Sequence, residues 1–247
     1  MNLTGNTILI TGGTSGIGLG IAQRLQSAGN TVIVAGRRTA LLEAITTENS
    51  GIDAIELDVT DPGSLARAKA SLAVTHPGLN VLINNAGIMR AESVLDPADV
   101  HVAEDHVAVN LLGTIRATYA FLPLLLGKED AAVLNVTSAL AFVPFPTTPT
   151  YSATKAALHS FTDGLRVQLE DSGVQVIEIV PPGVQTDLFS AGGDEHAMPL
   201  DDFLTELLGL LAADPDATEL VVSNARPLRD AVSDGTYPAM LAAMRGI

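Results

Sequence analysis

Two side chains that could move a proton, Tyr151 and Lys155, stand four positions apart in the sequence. On a helix, residues at this spacing share a face, so the phenol and the ammonium would lie one turn apart. The pKa of a free tyrosine is about 10, too high for proton exchange at neutral pH, and a nearby cation lowers it. The pair therefore predicts a general acid/base, although the same spacing is also typical of an ordinary pair on a helix surface.

The composition favours a single domain over residues 1–247. Hydrophobic residues make up 47% of the chain but aromatic residues only 4%, which is typical of an aliphatic sheet covered by helices on both faces. We find no uninterrupted apolar run of the roughly 18 residues needed to cross a bilayer, and no basic leader at the start. We therefore expect a soluble, cytoplasmic protein with no membrane partner.

The charge and the absence of cysteine exclude several classes of function. Without cysteine the chain has no disulfide, no thiolate nucleophile and no Cys-ligated zinc. A formal net charge of −15 repels phosphates, which argues against a nucleic-acid partner. A polyanionic cofactor would need local positive charge or a helix N-terminus.

The first segment of the chain predicts a strand, a glycine turn and a helix. The β-branched run at 7–10 is followed by glycines up to residue 18, after which Ile21, Ala22 and Leu25 recur at helical spacing. Free N–H groups at the start of such a helix can bind a pyrophosphate. The position of the glycines between a strand and a helix favours this interpretation over an ordinary loop. The residues predicted to contact the cofactor here are Gly12, Thr14, Ser15, Gly16, Ile17 and Gly18.

The second predicted strand, residues 30–35, ends in Gly36, Arg37 and Arg38. In dinucleotide-binding folds an acidic residue at this place holds the adenosine ribose, whereas arginine accommodates a 2′-phosphate. The two arginines favour NADP(H) over NAD(H), with a solvated basic turn as the alternative.

Two further strands, at 54–57 and 81–83, end in polar and small residues. Strands that alternate with helical segments predict an α/β fold of Rossmann type: a doubly wound parallel sheet of about seven strands, with helices on both faces. Its ligand cleft lies at the carboxyl ends of the strands. The residues expected in this cleft are Asp58, Val59, Asn85, Ala86 and Gly87.

The second half of the chain delivers the remaining candidate residues. A long helical segment at 99–126 carries Asn110, an amide that is either a structural hydrogen bonder or a site residue. The fifth strand, 132–136, leads to Ser138, and a helix from about 150 to 171 carries Tyr151 and Lys155. A sixth strand at 174–180, a helix at 201–213 and a last strand at 219–222 complete the pattern.

The segment at about 185–200 has no periodicity, and we interpret it as a substrate loop or lid. It contains His196 and Met198, while His101 and His106 lie in or near the long helix. Because the sequence shows no His/Asp/Glu cluster at ligand spacing, we predict no metal.

These motifs together resemble the short-chain dehydrogenase/reductase family over nearly the whole chain. The step of thirteen residues from Ser138 to Tyr151 agrees with the family, as does the order of all the motifs. One difference is Pro181-Pro182 where many members have Pro-Gly, although Pro181, Val184 and Thr186 still match positions near the nicotinamide. The motifs that carry the resemblance are residues 11–18, Asp58-Val59, residues 84–87, Asn110, Ser138, Tyr151 and Lys155.

The resemblance implies an NADP(H)-dependent oxidoreductase that interconverts a ketone and a secondary alcohol. Tyr151 would give and take the proton, Ser138 would hold the reacting oxygen, and Lys155 would lower the pKa of Tyr151 and bind the nicotinamide ribose. By analogy with the family, Asn110 would hold a water that links Lys155 to solvent. The family also implies a homodimer or homotetramer joined through two long helices.

A predominantly apolar small-molecule substrate is expected, since the two loops beside the nicotinamide are rich in apolar residues. The apolar residues are Leu140, Phe142, Phe145, Leu188 and Phe189, which could equally be core or subunit contacts. Two alternatives stay open: an NADP-linked epimerase, dehydratase or acyl-carrier-protein reductase on the same fold, and a non-catalytic regulator that senses the dinucleotide.

Overall fold

A seven-stranded parallel sheet forms the centre of the computed structural model, which describes residues 1–188 and 197–245. The strand order is β3-β2-β1-β4-β5-β6-β7, so the chain changes direction across the sheet between β1 and β4. This confirms the predicted Rossmann-type fold. The strands are β1 (Thr7–Thr11), β2 (Thr31–Gly36), β3 (Ile52–Glu56), β4 (Val81–Asn84), β5 (Ala132–Val136), β6 (Gln175–Val180) and β7 (Glu219–Val221).

Helices connect the strands and cover both faces of the sheet. A π-helical segment, Val107–Gly113, joins α4 to α5, and short 3-10 turns occur at Pro97–Asp99, Ala139–Ala141 and Ser223–Ala225. The helices are α1 (Gly16–Ser27), α2 (Thr39–Glu48), α3 (Pro62–Thr75), α4 (Val100–His106), α5 (Thr114–Leu125), α6 (Pro149–Gln168), α7 (Leu200–Ala213), α8 (Arg226–Arg229) and α9 (Tyr237–Ala243).

The core consists of two aliphatic clusters, one on each face of the sheet. Successive residues of a strand point to opposite faces, so Ile8 and Ile10 join the cluster under α1 and α7, while Leu9 joins the one under α3 and α5. Phe203 and Phe121, both fully buried, are the largest side chains of these clusters. Burial of each contributes about 1.5–3 kcal/mol, so the helices are held firmly on the sheet.

One helical stretch, Pro97–Leu125, is long and apolar enough to cross a bilayer by length and composition, with a mean hydropathy of 1.3. Charged residues such as Asp99, Asp105 and Arg116 interrupt it, so it is not a continuous apolar run. In the structure its α5 portion buries Ala117, Phe121 and Leu125 in one of the two core clusters. The α5 portion is therefore part of the core, although only 33% of the most apolar window of the stretch is buried.

The ends of the predicted lid are joined by main-chain hydrogen bonds. Gln185 N donates to Met198 O at 2.9 Å, and Met198 N donates to Gly183 O at 2.8 Å. Phe189 and His196, which the sequence placed in the lid, lie outside the described residues.

Candidate active site

A cavity of about 840 Å³ opens at the carboxyl ends of the strands, where the sheet order predicts the ligand cleft. Nearly all of the sequence-predicted site residues line it. On the dinucleotide side these are Gly12, Thr14, Ser15, Gly16, Ile17, Arg37, Arg38, Asp58, Val59, Asn85, Ala86 and Gly87. Toward the other end they are Ser138, Tyr151, Lys155, Pro181 and Val184, whereas Thr186 lines the cavity beside Gly16 of the glycine turn.

The glycine turn fits tightly against the end of β4. Gly12 has a φ of +65°, and a Cβ built on it would lie 2.7 Å from Ala86 Cα. Asn85 Nδ2 donates to Gly12 O at 3.0 Å, and Thr11 Oγ1 accepts from the main-chain N–H groups of Asn85 and Ala86, each at 3.1 Å. The ends of β1 and β4 are thus joined, and only glycine fits between them.

The N-terminus of α1 faces the cavity with its first turn open. Ser15 precedes the helix in an extended conformation, and its side chain makes no capping hydrogen bond. The first N–H groups of a helix have no partner within the helix and carry a partial positive charge. This end of α1 can therefore accept the phosphates of a ligand.

Two arginines follow β2 at the same end of the cavity. Arg38 Nη2 donates to Thr14 Oγ1 at 3.1 Å, which brings its guanidinium to the glycine turn. Burial raises the pKa of Asp58, but hydrogen bonds from Thr60 and the charge of Arg37 outweigh burial and hold that pKa below its ordinary value. An ionised Asp58 and the two cations therefore surround the site expected for the adenosine.

The three predicted catalytic side chains meet at the other end of the cavity. Ser138 follows β5, and its Oγ accepts from Leu140 N at 3.1 Å, which begins the turn Ala139–Ala141. Tyr151 and Lys155 lie on α6, which starts at Pro149, a residue suited to the first helical position. Lys155 Nζ donates to Val136 O at 2.8 Å, which joins α6 to the end of β5.

Burial governs the acid–base properties of this site. Loss of water raises the pKa of Tyr151 to about 12, and the neighbouring Ser138 hydroxyl offsets this only in part. Burial also lowers the pKa of Lys155 to about 8, against the negative charge of Glu178. The expected lowering of the Tyr151 pKa by Lys155 is absent from the protein alone, because desolvation of the phenol is the larger effect. Lys155 Nζ lies 5.7 Å from the centre of the ring.

Asn110 is fully buried in the π-helical segment that joins α4 to α5. Its Oδ1 accepts from Ile88 N at 2.8 Å, and its Nδ2 donates to Ile88 O at 2.9 Å. Asn110 therefore fixes the main chain that follows Gly87. Single π-helical turns occur often at functional sites, because they redirect a side chain without ending the helix.

Three predicted residues do not line the cavity. A Cβ on Gly18 would lie 2.4 Å from Asn85 Nδ2, so this glycine serves close contact with the β4 end. Phe142 packs edge-on against His159, with ring centres 4.8 Å apart. Asn110 lies behind the wall, as described above.

The structure adds wall residues that the sequence analysis did not identify. Ile88 and Met89 follow the β4 end, and Ser223, Asn224, Pro227, Leu228 and Met244 come from the C-terminal segment. No motif marks these positions, because their place depends on how the chain after β7 folds back over the site. Only Ile88 and Met89 could have been predicted from local sequence, because they directly continue the turn that follows β4.

The fold also assembles a cluster of His, Asp and Glu type that the sequence did not reveal. Ligand atoms of His159, Glu178 and Glu219 lie within 4.8 Å of one another. Arg229 donates to both oxygens of Glu219, at 2.7 and 2.9 Å, and the hydrogen bond to Glu178 raises the pKa of His159. A metal would need a neutral imidazole and free carboxylate oxygens, whereas here Arg229 occupies Glu219 and His159 is hydrogen-bonded to Glu178. The absence of a metal remains a prediction.

The fold and the site define a class, the dinucleotide-binding oxidoreductases of Rossmann type. Residues 6–196 match the sequence model of the family described as short chain dehydrogenase. The chain belongs to this family.

Curated relatives and solved structures agree with this assignment. The chain is 40% identical over 199 residues to the uncharacterized oxidoreductase DltE of Bacillus subtilis, which covers 80% of this chain and 79% of that protein. It is 34% identical over 194 residues to serine 3-dehydrogenase of Rhizobium radiobacter, covering 77% of this chain and 78% of that protein. A short chain dehydrogenase from Burkholderia cenocepacia in complex with NADP superposes with a TM-score of 0.85 at 27% identity, covering 98% of this chain and 99% of that one.

Proposed function

We propose that the protein is an NADP(H)-dependent oxidoreductase that interconverts a ketone and a secondary alcohol on a predominantly apolar small molecule. The observation that carries the proposal is the shared cavity: Ser138, Tyr151 and Lys155 line one end, while Arg37 and Arg38 line the other.

The residues at the arginine end fit a phosphorylated dinucleotide. The open first turn of α1 suits a pyrophosphate, and the close contact between Gly12 and Ala86 lets the main chain approach it. Arg37 and Arg38 supply the local positive charge that a chain of net charge −15 otherwise lacks, and they suit a 2′-phosphate. The complex of the Burkholderia relative with NADP supports the same preference.

At the other end, the side chains perform proton transfer. The bound dinucleotide supplies or accepts the hydride. In the reductive direction Tyr151 donates its proton to the substrate oxygen, and Ser138 donates a hydrogen bond to the same oxygen as negative charge develops on it. In the oxidative direction Tyr151 is the base, and a positively charged neighbour is then needed to bring its pKa below about 12.

Lys155 and Asn110 approach the same point of the chain beside Gly87. A Cβ built on Gly87 would lie 3.4 Å from Asn110 Oδ1 and 3.9 Å from Lys155 Nζ. We assign Lys155 to the ribose hydroxyls and to support of Tyr151, and Asn110 to a proton path between Lys155 and solvent.

The distribution of cations favours an uncharged substrate. Every lysine and arginine of the chain lies within the described ranges, and of these only Arg37, Arg38 and Lys155 line the cavity. The first two are at the dinucleotide end, and Lys155 donates to the main chain of β5 and is assigned to the nicotinamide ribose. Serine, the substrate named for the Rhizobium relative, carries a carboxylate, and this cavity has no further arginine or lysine to bind one.

We further propose a soluble homodimer or homotetramer joined through the two long helical segments, which are residues 97–125 and α6. Apolar side chains along residues 97–126 are exposed in the single chain, which favours a subunit contact. Among them are Val107, Leu112, Tyr119 and Leu126.

The experiment that tests the function follows the consumption of NADPH by the purified protein with a panel of substrates. Neutral apolar ketones should be reduced faster than 2-keto acids, and serine should be a poor substrate in the reverse direction with NADP⁺. Turnover of carrier-bound acyl thioesters alone would favour the acyl-carrier-protein reductase. Tight binding of NADPH with no turnover of any compound would favour a dinucleotide-sensing regulator.

A further inference from the structure

A buried carboxylate lies directly behind the catalytic set. Glu178 is in β6 and is 1% exposed. Its Oε1 accepts from Thr137 Oγ1 at 2.7 Å, and its Oε2 accepts from His159 Nδ1 at 2.7 Å. Burial of a carboxylate costs free energy unless it is hydrogen-bonded and paired. The positions of the groups that bind Glu178 are therefore important for stability.

The two partners of Glu178 belong to the two elements that carry the catalytic side chains. Thr137 directly precedes Ser138, and its main-chain N–H donates to Ile179 O at 2.9 Å in the neighbouring strand. His159 lies one helical turn after Lys155 on α6. Glu178 therefore connects the end of β5 to the helix that provides the phenol and the ammonium.

Lys155 holds the same strand end as Glu178 does. Its Nζ donates to Val136 O, and the next residue, Thr137, donates to Glu178. The ammonium and the carboxylate are thus bound to two adjacent residues, Val136 at the end of β5 and Thr137 directly after it, in a region from which water is excluded. Charges separated in this way interact more strongly than they would at a surface.

We propose that Glu178 is a positioning residue for the reaction, whose carboxylate fixes the peptide that carries Ser138 and stabilises the positive charge of Lys155. This inference rests on the proposed function only for its effect on turnover. Its electrostatic part concerns the free protein and can be measured without any substrate.

Other charged groups face this region from each neighbouring element. Glu219 of β7 and Arg229 of α8 form a pair with two hydrogen bonds beside Glu178, and Asp163 of α6 lies 3.8 Å from His159. Tyr151 is the titratable neighbour of Lys155 on the cavity side, with Nζ 5.7 Å from its ring centre.

Three further titratable groups lie one contact away from these residues. Asp230 lies 3.7 Å from Arg229, and His106 of α4 packs edge-on to the Tyr151 ring at 6.1 Å. Glu92 lies 3.9 Å from His106. Of these carboxylates, Glu178 is the one whose charge raises the pKa of Lys155.

The direction of the effect follows from the balance at Lys155. Burial lowers the pKa of its ammonium to about 8, and the charge of Glu178 opposes that fall. Without this charge the pKa falls further, and the ammonium is lost at a lower pH. If the reduction requires the charged form, the decline of kcat/KM on the alkaline side moves to lower pH by the same amount.

The test is a titration of Lys155 by NMR in protein labelled with ¹³C at the lysine ε-carbons. The chain contains only three lysines, Lys69, Lys128 and Lys155, so three signals are expected. Glu178→Gln keeps the shape and one acceptor oxygen but removes the charge, and the pKa of Lys155 should fall below that of the wild type. The matched control, Asp163→Asn, removes a carboxylate on the far side of His159 and should leave the Lys155 titration unchanged.

An unchanged Lys155 titration in Glu178→Gln, with only a lower melting temperature, would overturn the proposal. Should that variant fail to fold, the double change Glu178→Gln with His159→Gln replaces the hydrogen-bonded pair by two amides. The fall in the Lys155 pKa is expected there too, because Glu178 and not His159 acts on Lys155. A wild-type protein that reduces no ketone would refute the proposed function while leaving this titration decisive.

Discussion

The two ends of the cavity are built in different ways. At the dinucleotide end, main-chain groups and short polar side chains do most of the work: Thr11 and Asn85 join β1 to β4, and Gly12 fits against Ala86 with no room for a Cβ. At the proposed substrate end, we expect side chains from distant segments to form the wall. Leu140 follows β5, Leu188 follows β6, and Leu228 belongs to α8.

The difference reflects what each end has to recognise. A pyrophosphate and a ribose are the same in every dinucleotide, so the elements that bind them tolerate few residue types. An apolar substrate is recognised by shape and area, which many combinations of aliphatic residues can supply. Substitutions at the dinucleotide end should therefore change cofactor use, and substitutions at the proposed substrate end should change substrate choice. Only substitutions of Ser138, Tyr151 or Lys155 should abolish turnover in both directions.

The largest effect is expected for Tyr151→Phe, which removes the proton donor and leaves the ring in place. Loss of a positioned general acid costs about 10²- to 10⁴-fold in kcat. Dissociation of NADPH, measured by fluorescence, should stay close to that of the wild type. A variant that retains turnover near the wild-type rate would remove Tyr151 from the assigned role.

The second largest effect is expected at the dinucleotide end, for a change of Arg37. Arg37→Ala should raise KM for NADPH by about 10- to 100-fold, because a charge-assisted hydrogen bond to a phosphate contributes about 1.5–3 kcal/mol. KM for NADH should change little, since NADH has no 2′-phosphate. Steady-state kinetics with both cofactors provides the measurement, and Arg67→Ala, which changes an arginine that is 75% exposed, is the matched control. Equal changes for both cofactors would contradict the assignment to the 2′-phosphate.

The same contrast explains how far the sequence alone could predict the molecule. The parallel sheet of about seven strands, the glycine turn and the placement of Ser138, Tyr151 and Lys155 follow from hydrophobic periodicity and from local motifs. Those signals depend on residues that are close in the chain. The π-helical geometry around Asn110 does not, because an ordinary α-helical pattern and a π-helical one have the same residue types.

Other features could not be predicted from the sequence because they too depend on residues that are distant in the chain. Glu178 is separated from Thr137 by 41 positions, so its hydrogen bond is fixed only by the pairing of β5 with β6. The pKa of Tyr151 depends on how completely the fold removes water from the phenol, which four-residue spacing cannot reveal. Pro227 and Met244 reach the cavity only because the C-terminal segment folds back over it.

The smallest effect is expected at the substrate end, in Leu228→Ala. Leu228 lines the cavity, and its truncation removes apolar contact area without touching the catalytic set. KM for bulky apolar ketones should rise by about 5- to 10-fold, at the low end of the roughly 1–3 kcal/mol that a methylene contributes in an apolar pocket, because Leu228 is only partly buried. Small ketones and NADPH should be unaffected, because neither needs this part of the wall. Val232→Ala, at a residue of the same segment that is 72% exposed, is the control. If both variants behave alike, or if the change in Leu228→Ala falls on NADPH, the division of the cavity into two independently built ends is wrong.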